Sequence, residues 1–209
     1  RMDVSLDPAV YNISGSVTSH FMPTQSMSSI YFDLANTLSV FSVQFHGQNL
    51  AFQQLTTKEI KIDFPTALPA NTLDSLTINY GGAPATTYNS FSTTLQGGIP
   101  LLATLNEPYG AQDWFPTKQS LNDKIERFDL KITTPPQYNV ASNGKLMSET
   151  ILPNGQKRTF WRTMYPTAAY LIALGITNYT KINDTMGNPP FPFVTYVYPS
   201  TANNATSMA

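Results

Sequence analysis

Short alternations of apolar and polar residues run through this chain, and no helix-length stretch carries the 3.6-residue period of an amphipathic helix. Ile60, Ile62 and Phe64 alternate with Lys61 and Asp63 until Pro65 stops the run. Val17 and Phe21 follow the same pattern, as do Ile30, Phe32 and Leu34, and then Leu38, Val40, Val43 and Phe45. Leu73, Leu76, Ile78 and Tyr80 rebuild a strand that ends at Gly81-Gly82, and Gly97-Gly98 with Pro100 marks another break. Short strands punctuated by turn residues read as a sandwich or barrel. The pattern predicts an all-β chain, with a saddle-like or sandwich arrangement of mostly antiparallel sheets and under about a tenth helix.

Local signals refine this. Lys145–Leu152 and Gln156–Thr163 are strand-like and flank Pro153-Asn154-Gly155. Asn-Gly supplies the two positive-φ positions of a type I′ turn, so a hairpin is expected. Ser142-Asn143-Gly144 predicts a similar turn just before it. Lys118–Arg127 has room for one or two helical turns at most. The longest apolar run, Ala168–Ile176, is far short of the roughly 20 residues of a membrane span and reads as a core strand or short buried helix. Gly187-Asn188-Pro189-Pro190-Phe191-Pro192 reads as a rigid loop, because proline fixes φ and removes a donor. Composition shifts near residue 100, from Ser/Thr-rich to Trp-, Lys- and Arg-containing sequence. We read one β domain over 1–199 with two sub-regions. Residues 200–209 then form a tail or the start of a linker. The opening at Arg1 suggests a piece of a longer protein.

Charged residues make up 12% of the chain, about half the usual share, yet the 41% hydrophobic fraction and net charge of −1 exclude a disordered polyelectrolyte. That balance gives no electrostatic reason to bind nucleic acid or an anionic membrane. Cysteine is absent, which removes disulfides, thiol nucleophiles and cysteine-based metal sites. The Asn/Thr/Ser-rich, Lys-poor composition points to a secreted, cell-surface or periplasmic bacterial protein.

His20 and His46 are the only histidines, and neither has a carboxylate at metal-ligand spacing. They read as surface or half-buried strand residues. No Gly-x-Ser-x-Gly elbow supports a Ser-His-Asp triad, and no glycine-rich loop suits a phosphate. Sequons at Asn12, Asn178, Asn183 and Asn204 are expected by chance in so Asn- and Thr-rich a chain. The unusual segment is Asn106-Glu107-Pro108-Tyr109-Gly110-Ala111-Gln112-Asp113-Trp114-Phe115-Pro116. Two prolines, a glycine and three aromatics fit a shaped loop that holds one or two side chains in fixed positions. The competing reading is a structural loop that only packs Trp114 and Phe115 into the core.

The pattern Thr-x-x-Glu-Pro-x-x-Ala-x-x-x-Phe-Pro, from Thr104 to Pro116, resembles the N-terminal domain of the aminopeptidase N family of zinc metallopeptidases. Phe128-Asp-Leu-Lys-Ile, then Pro136, Tyr138 and Ala141-Ser-Asn-Gly144, resemble that family's next strand and turn. Ala169–Leu174 resembles its following core strand, and Phe193–Tyr198 the strand that ends the domain. The opening Asp3–Pro8 fits the first strands, and the style is similar to secreted Bacteroidetes-type members. Departures are Gln112, Thr117 and Lys118-Gln119-Ser120, where the family often has Arg, Cys and an acidic-x-Pro stretch.

The resemblance implies a β saddle that precedes a catalytic domain carrying His-Glu-x-x-His, a distant Glu and Gly-x-Met-Glu-Asn. None of these motifs occurs here. It implies no catalytic residue, no metal and no cofactor in this chain, with zinc in the full-length enzyme. The implied partners are the chain's own catalytic domain and peptide N-termini. Glu107 takes the position of the family residue that projects into the active site and helps bind the substrate's free α-amine. On this reading the fragment alone is inactive. The alternative is a free-standing secreted β-sandwich module binding carbohydrate or protein, with Trp114, Trp161 and tyrosines as a stacking surface.

Overall fold

The computed structural model describes residues 1–202. In chain order the strands are β1 (Met2–Leu6), β2 (Ile13–Phe21), β3 (Met27–Asp33), β4 (Leu38–Phe45), β5 (Gln48–Leu50), β6 (Phe52–Gln54), β7 (Glu59–Leu68), β8 (Asp74–Gly82), β9 (Phe91–Gln96), β10 (Ile99–Thr104), β11 (Phe128–Thr134), β12 (Asn139–Ser142), β13 (Lys145–Ile151), β14 (Lys157–Thr163), β15 (Leu174–Thr177), β16 (Thr180–Met186) and β17 (Phe191–Val197). Three 3-10 turns, none longer than four residues, complete the regular structure. The architecture is mostly antiparallel β with almost no helix, as the alternation predicts.

An eight-stranded sheet runs β13-β14-β11-β1-β2-β8-β4-β5. Its one parallel pair, β1 with β11, joins the two halves of the sequence, so the compositional shift near residue 100 does not mark a structural division. Met2, Val4 and Leu6 face inward while Asp3 and Ser5 face out. In β4 the inward set changes register, Leu38 and Val40 and then Val43 and Phe45. The shift between Val40 and Ser42 is a bulge that leaves Phe41 in solvent. A four-stranded sheet (β12-β15-β10-β9) and a three-stranded sheet (β3-β7-β6) supply further inward side chains to a single core cluster. The ribbon β16-β17 forms a separate pair.

Several local expectations need correction. Pro65 does not end its strand. It lies inside β7 where the register with β3 slips between Met27 and Ser29, a place that needs no ladder donor. The β13-β14 hairpin is antiparallel with Asn154-Gly155 at its tip, but the turn is not type I′. Leu152 N–H donates to the Gln156 carbonyl and Gly155 N–H to the Leu152 carbonyl, and only Gly155 has positive φ. This is a three-residue loop closed by a left-handed glycine. Ser142-Asn143-Gly144 makes no hairpin, since it carries the chain from the four-stranded to the eight-stranded sheet.

Lys118–Arg127 contains no helical turn. Its polar groups bind elsewhere: Asp123 N–H donates to Ser120 Oγ, and Ile125 bridges Thr167. Ala168–Ile176 divides into a 3-10 turn at Ala169–Leu171 and β15, so the strand-like resemblance over Ala169–Leu174 holds only for its last residue. Side chains take the backbone groups in between. Asn106 Nδ2 donates to the Ile172 carbonyl, and Ala173 N–H donates to Asn143 Oδ1 at 2.7 Å. The expected rigid loop spans less than Gly187–Pro192, because β17 starts at Phe191 and Pro192 pairs with Thr185. Ser200 and Thr201 belong to a 3-10 turn begun at Pro199; residues 203–209 of the expected tail, with the Asn204 sequon, lie outside the described residues.

Candidate functional site: the Glu107 loop

The chain leaves β10 at Thr104 and turns over the end of the core. Asn106 is the pivot. It is buried, its amide donates to the Ile172 carbonyl, and its oxygen accepts from Trp114 Nε1 at 2.7 Å. Trp114 and Phe115 are 0% and 2% exposed and pack edge-on at 4.5 Å, so the loop has a solid floor. Gly110 N–H donates to the Asn106 carbonyl at 2.7 Å and opens a 3-10 turn through Asp113. Gly110 is required by space. A Cβ there would sit 2.5 Å from Ser90 Cβ.

Asp113 locks the turn from inside. Its carboxylate accepts from Tyr88 N–H at 2.9 Å and lies 3.1 Å from Ser90 Oγ, and its carbonyl accepts from Ala85 N–H. The second carboxylate oxygen is buried without a partner. Burial pushes this carboxyl above the usual range, and the hydrogen bonds from Tyr88 and Ser90 oppose the shift. On the far side Ala35 N–H donates to the Gln112 carbonyl, and Asp33 and Thr117 exchange backbone hydrogen bonds. Gln119 anchors the loop twice, by N–H to Asp33 Oδ2 at 2.9 Å and by its side chain to the Tyr109 carbonyl.

Against this fixed frame Glu107 stands exposed beside Pro108, and no hydrogen bond or ion pair engages its carboxylate among the described residues. Leu105, Tyr109, Leu121 and Leu171 are also largely exposed, on this loop and on the two segments hydrogen-bonded to it or packed near it. An exposed carboxylate with no partner among the described residues is free to accept from a cationic donor.

A family model for the peptidase M1 N-terminal domain matches residues 1–171. The chain belongs to this family. A crystal structure of an M1 zinc metallopeptidase mutant from Deinococcus radiodurans superposes with a TM-score of 0.81 at 21% identity, covering 93% of this chain and 46% of that one. The same enzyme's mutant bound to a Tyr-Ser-Ala substrate gives 0.80 at 19% identity, over 98% and 50%. Glutamyl aminopeptidase of Rattus norvegicus is 27% identical over 105 residues, which is half of this chain and 11% of that protein. This M1 N-terminal domain thus spans half or less of each relative.

The two histidines remain apart from any such site. His20 is exposed on β2. His46, also exposed, sits at a positive-φ turn, stacks on Phe45 and pairs with Asp74 at 2.8 Å. Among the described residues no three His, Asp or Glu side chains gather to hold a metal, so the residues present do not fit a zinc ion. No helix of the described residues is long and apolar enough to cross a membrane. Trp114 and Trp161 are both buried, which removes the two tryptophans from any carbohydrate-stacking surface. Sequence reasoning singled out Glu107 and expected Trp114 and Phe115 in the core, where they are, but missed Asn106, Asp113 and Ser90. Asn106 and Asp113 stood in the motif without a role, and nothing in the sequence tied Ser90 to Gly110.

Proposed function

We propose that this M1 N-terminal domain is the first domain of a bacterial, secreted, cell-surface or periplasmic zinc aminopeptidase. Residues 1–199 form the domain, and 200–209 start the linker to a catalytic domain that carries the zinc and the hydrolytic groups. The domain alone turns over no peptide. Glu107 binds the free α-amine of a peptide substrate. The observation that carries this role is the contrast within one loop: the backbone is fixed by Asn106, Asp113, Thr117 and Gln119, while the carboxylate beside it has no partner.

The chemistry is direct. A charge-assisted hydrogen bond from an ammonium to a held carboxylate is worth roughly 1.5–3 kcal/mol, and it measures a fixed distance from the substrate's N-terminus. The test is Glu107→Ala in the full-length enzyme, assayed on amino-acid amides with a free α-amine. The expected loss in kcat/KM is about 10- to 150-fold at unchanged melting temperature. Unchanged kcat/KM would remove Glu107 from substrate binding.

A further inference from the structure

The β16-β17 ribbon stands out from the body of the domain. Its base is anchored: Lys181 pairs with Glu149, and the Tyr196 ring lies 6.3 Å from that of Trp161. Past the base the ribbon is uncovered among the described residues. Residues 183–186 and their ladder partners 191–194 are all exposed. Four residue pairs at about 3.4 Å each make an arm that projects roughly 13 Å.

The two faces of this arm differ. Directly opposed residues of an antiparallel ladder share a face, and every second pair returns to it. Lys181 and Tyr196 are opposed, so theirs is the face turned toward the body. The other face carries Ile182, Met186, Phe191, Phe193 and Val197, with Asp184 as its one charge. Met186, Phe191 and Phe193 are 49%, 53% and 43% exposed. A two-stranded ribbon is marginal by itself in water and gains stability by packing an apolar face. A contiguous apolar face left in solvent marks a contact surface.

We propose that this face docks against the catalytic domain proposed to follow the linker at 200–209, a reading on which this inference rests. The ribbon is the last strand pair of the described residues and lies past residue 171, where the match to the N-terminal domain family ends. The chain spans half or less of each relative, so the remainder of such a protein adjoins this end. A domain joined by a short linker meets the ribbon at an effective concentration on the order of 1 mM, ahead of a second copy. The surface that fits is apolar, with a basic or N–H group opposite Asp184. That carboxylate accepts from Thr185 N–H at 2.7 Å and forms no ion pair among the described residues.

Hydroxyl-radical labelling read by mass spectrometry tests this on the chain and on the full-length protein, with rates normalised to added free phenylalanine. Met186, Phe191 and Phe193 should label at least about fivefold more slowly in the full-length protein, the change from half-exposed to the burial of an interface core. Phe193→Glu, at an exposed position, should move this chain's melting temperature by no more than about 2 °C, yet raise the labelling of Met186 and Phe191 in the full-length protein. Equal labelling of the three residues in the two proteins overturns the proposal, as does protection that Phe193→Glu leaves unchanged. Protection in this chain alone that grows with its concentration assigns the face to a second copy and overturns it too. None of these readouts depends on peptide turnover or on Glu107, so a failed α-amine role and a failed docking face are told apart.

Discussion

The loop from Thr104 to Thr117 and the hairpin from Lys145 to Thr163 are both tight reversals, but they draw their order from different places. The hairpin's turn is closed by its own ladder and by hydrogen bonds that join Leu152, Gly155 and Gln156, while one of its strands, β14, also pairs with β11 over seven residues. The Glu107 loop has no ladder. Its bonds run to Asp33, Ala35, Ala85, Tyr88, Ser90 and Ile172, residues scattered across the sequence. A reversal closed by its neighbours in sequence can sit at a sheet edge, as β13 does. A reversal held by the whole core keeps the backbone at Glu107 in a fixed place, as binding a small charged group through that side chain would require.

The contrast can be broken first at the aromatic floor. Trp114→Ala should cost about 3–5 kcal/mol by opening a cavity, with a further loss from the stranded Asn106 oxygen, whereas Ile151→Ala in the hairpin, 59% exposed, should stay within about 0.5 kcal/mol. Comparable losses at the two positions in urea unfolding would refute the distinction.

Two glycines sharpen it further. A Cβ at Gly110 meets Ser90, while at Gly155 nothing lies within 4 Å and only the φ of 82° resists a side chain. Gly110→Ala should cost about 1–3 kcal/mol by overpacking and Gly155→Ala about 1–2. Asparagine, which tolerates left-handed backbone, should recover part of the loss at 155 and none at 110. Recovery at both positions would mean that the two reversals are held alike.

The smallest effect separates two carboxylates by pH. Asp129, on the strand paired with the hairpin, is held down at about 2, mainly by its hydrogen bond to Arg162 and then by Arg127, against the opposing cost of burial. Its folded value lies below the unfolded one, so its contribution is present above about pH 4 and fades as pH falls toward 2. Asp113 is shifted upward by burial, so its contribution is present at low pH and fades as pH rises through the carboxylate range. Asp129→Asn should therefore lose more stability at pH 6 than at pH 2, by no more than about 1 kcal/mol, and Asp113→Asn should compare better with wild type at pH 6 than at pH 3. Parallel pH profiles for the two variants would contradict this.

Legibility in the sequence follows the same divide. Alternation such as Ile60, Ile62, Phe64 reports which face of a strand is buried, because the side-chain period is built into the backbone, and it gave the fold class correctly. It could not report register. The slips beside Phe41 and Pro65 depend on the partner strand. The hairpin tip was placed correctly but its turn type was not, since Asn-Gly serves a two-residue and a three-residue loop equally well. Glu107 was legible only through its motif. The groups that fix it were not, because Ser90 and Ile172 meet the loop through space and leave no spacing to read.

The central claim is that Glu107 binds an α-amine, and a four-way binding comparison tests it most directly. The full-length enzyme and its Glu107→Ala variant are each titrated with a free amino acid and with the same compound lacking its α-amino group. If the carboxylate and the ammonium contact each other, deleting either costs about 10-fold or more, and deleting both costs little beyond deleting one, a coupling of roughly 1.5–3 kcal/mol. Strictly additive losses, with coupling near zero, would show that Glu107 and the amine do not meet and would contradict the account.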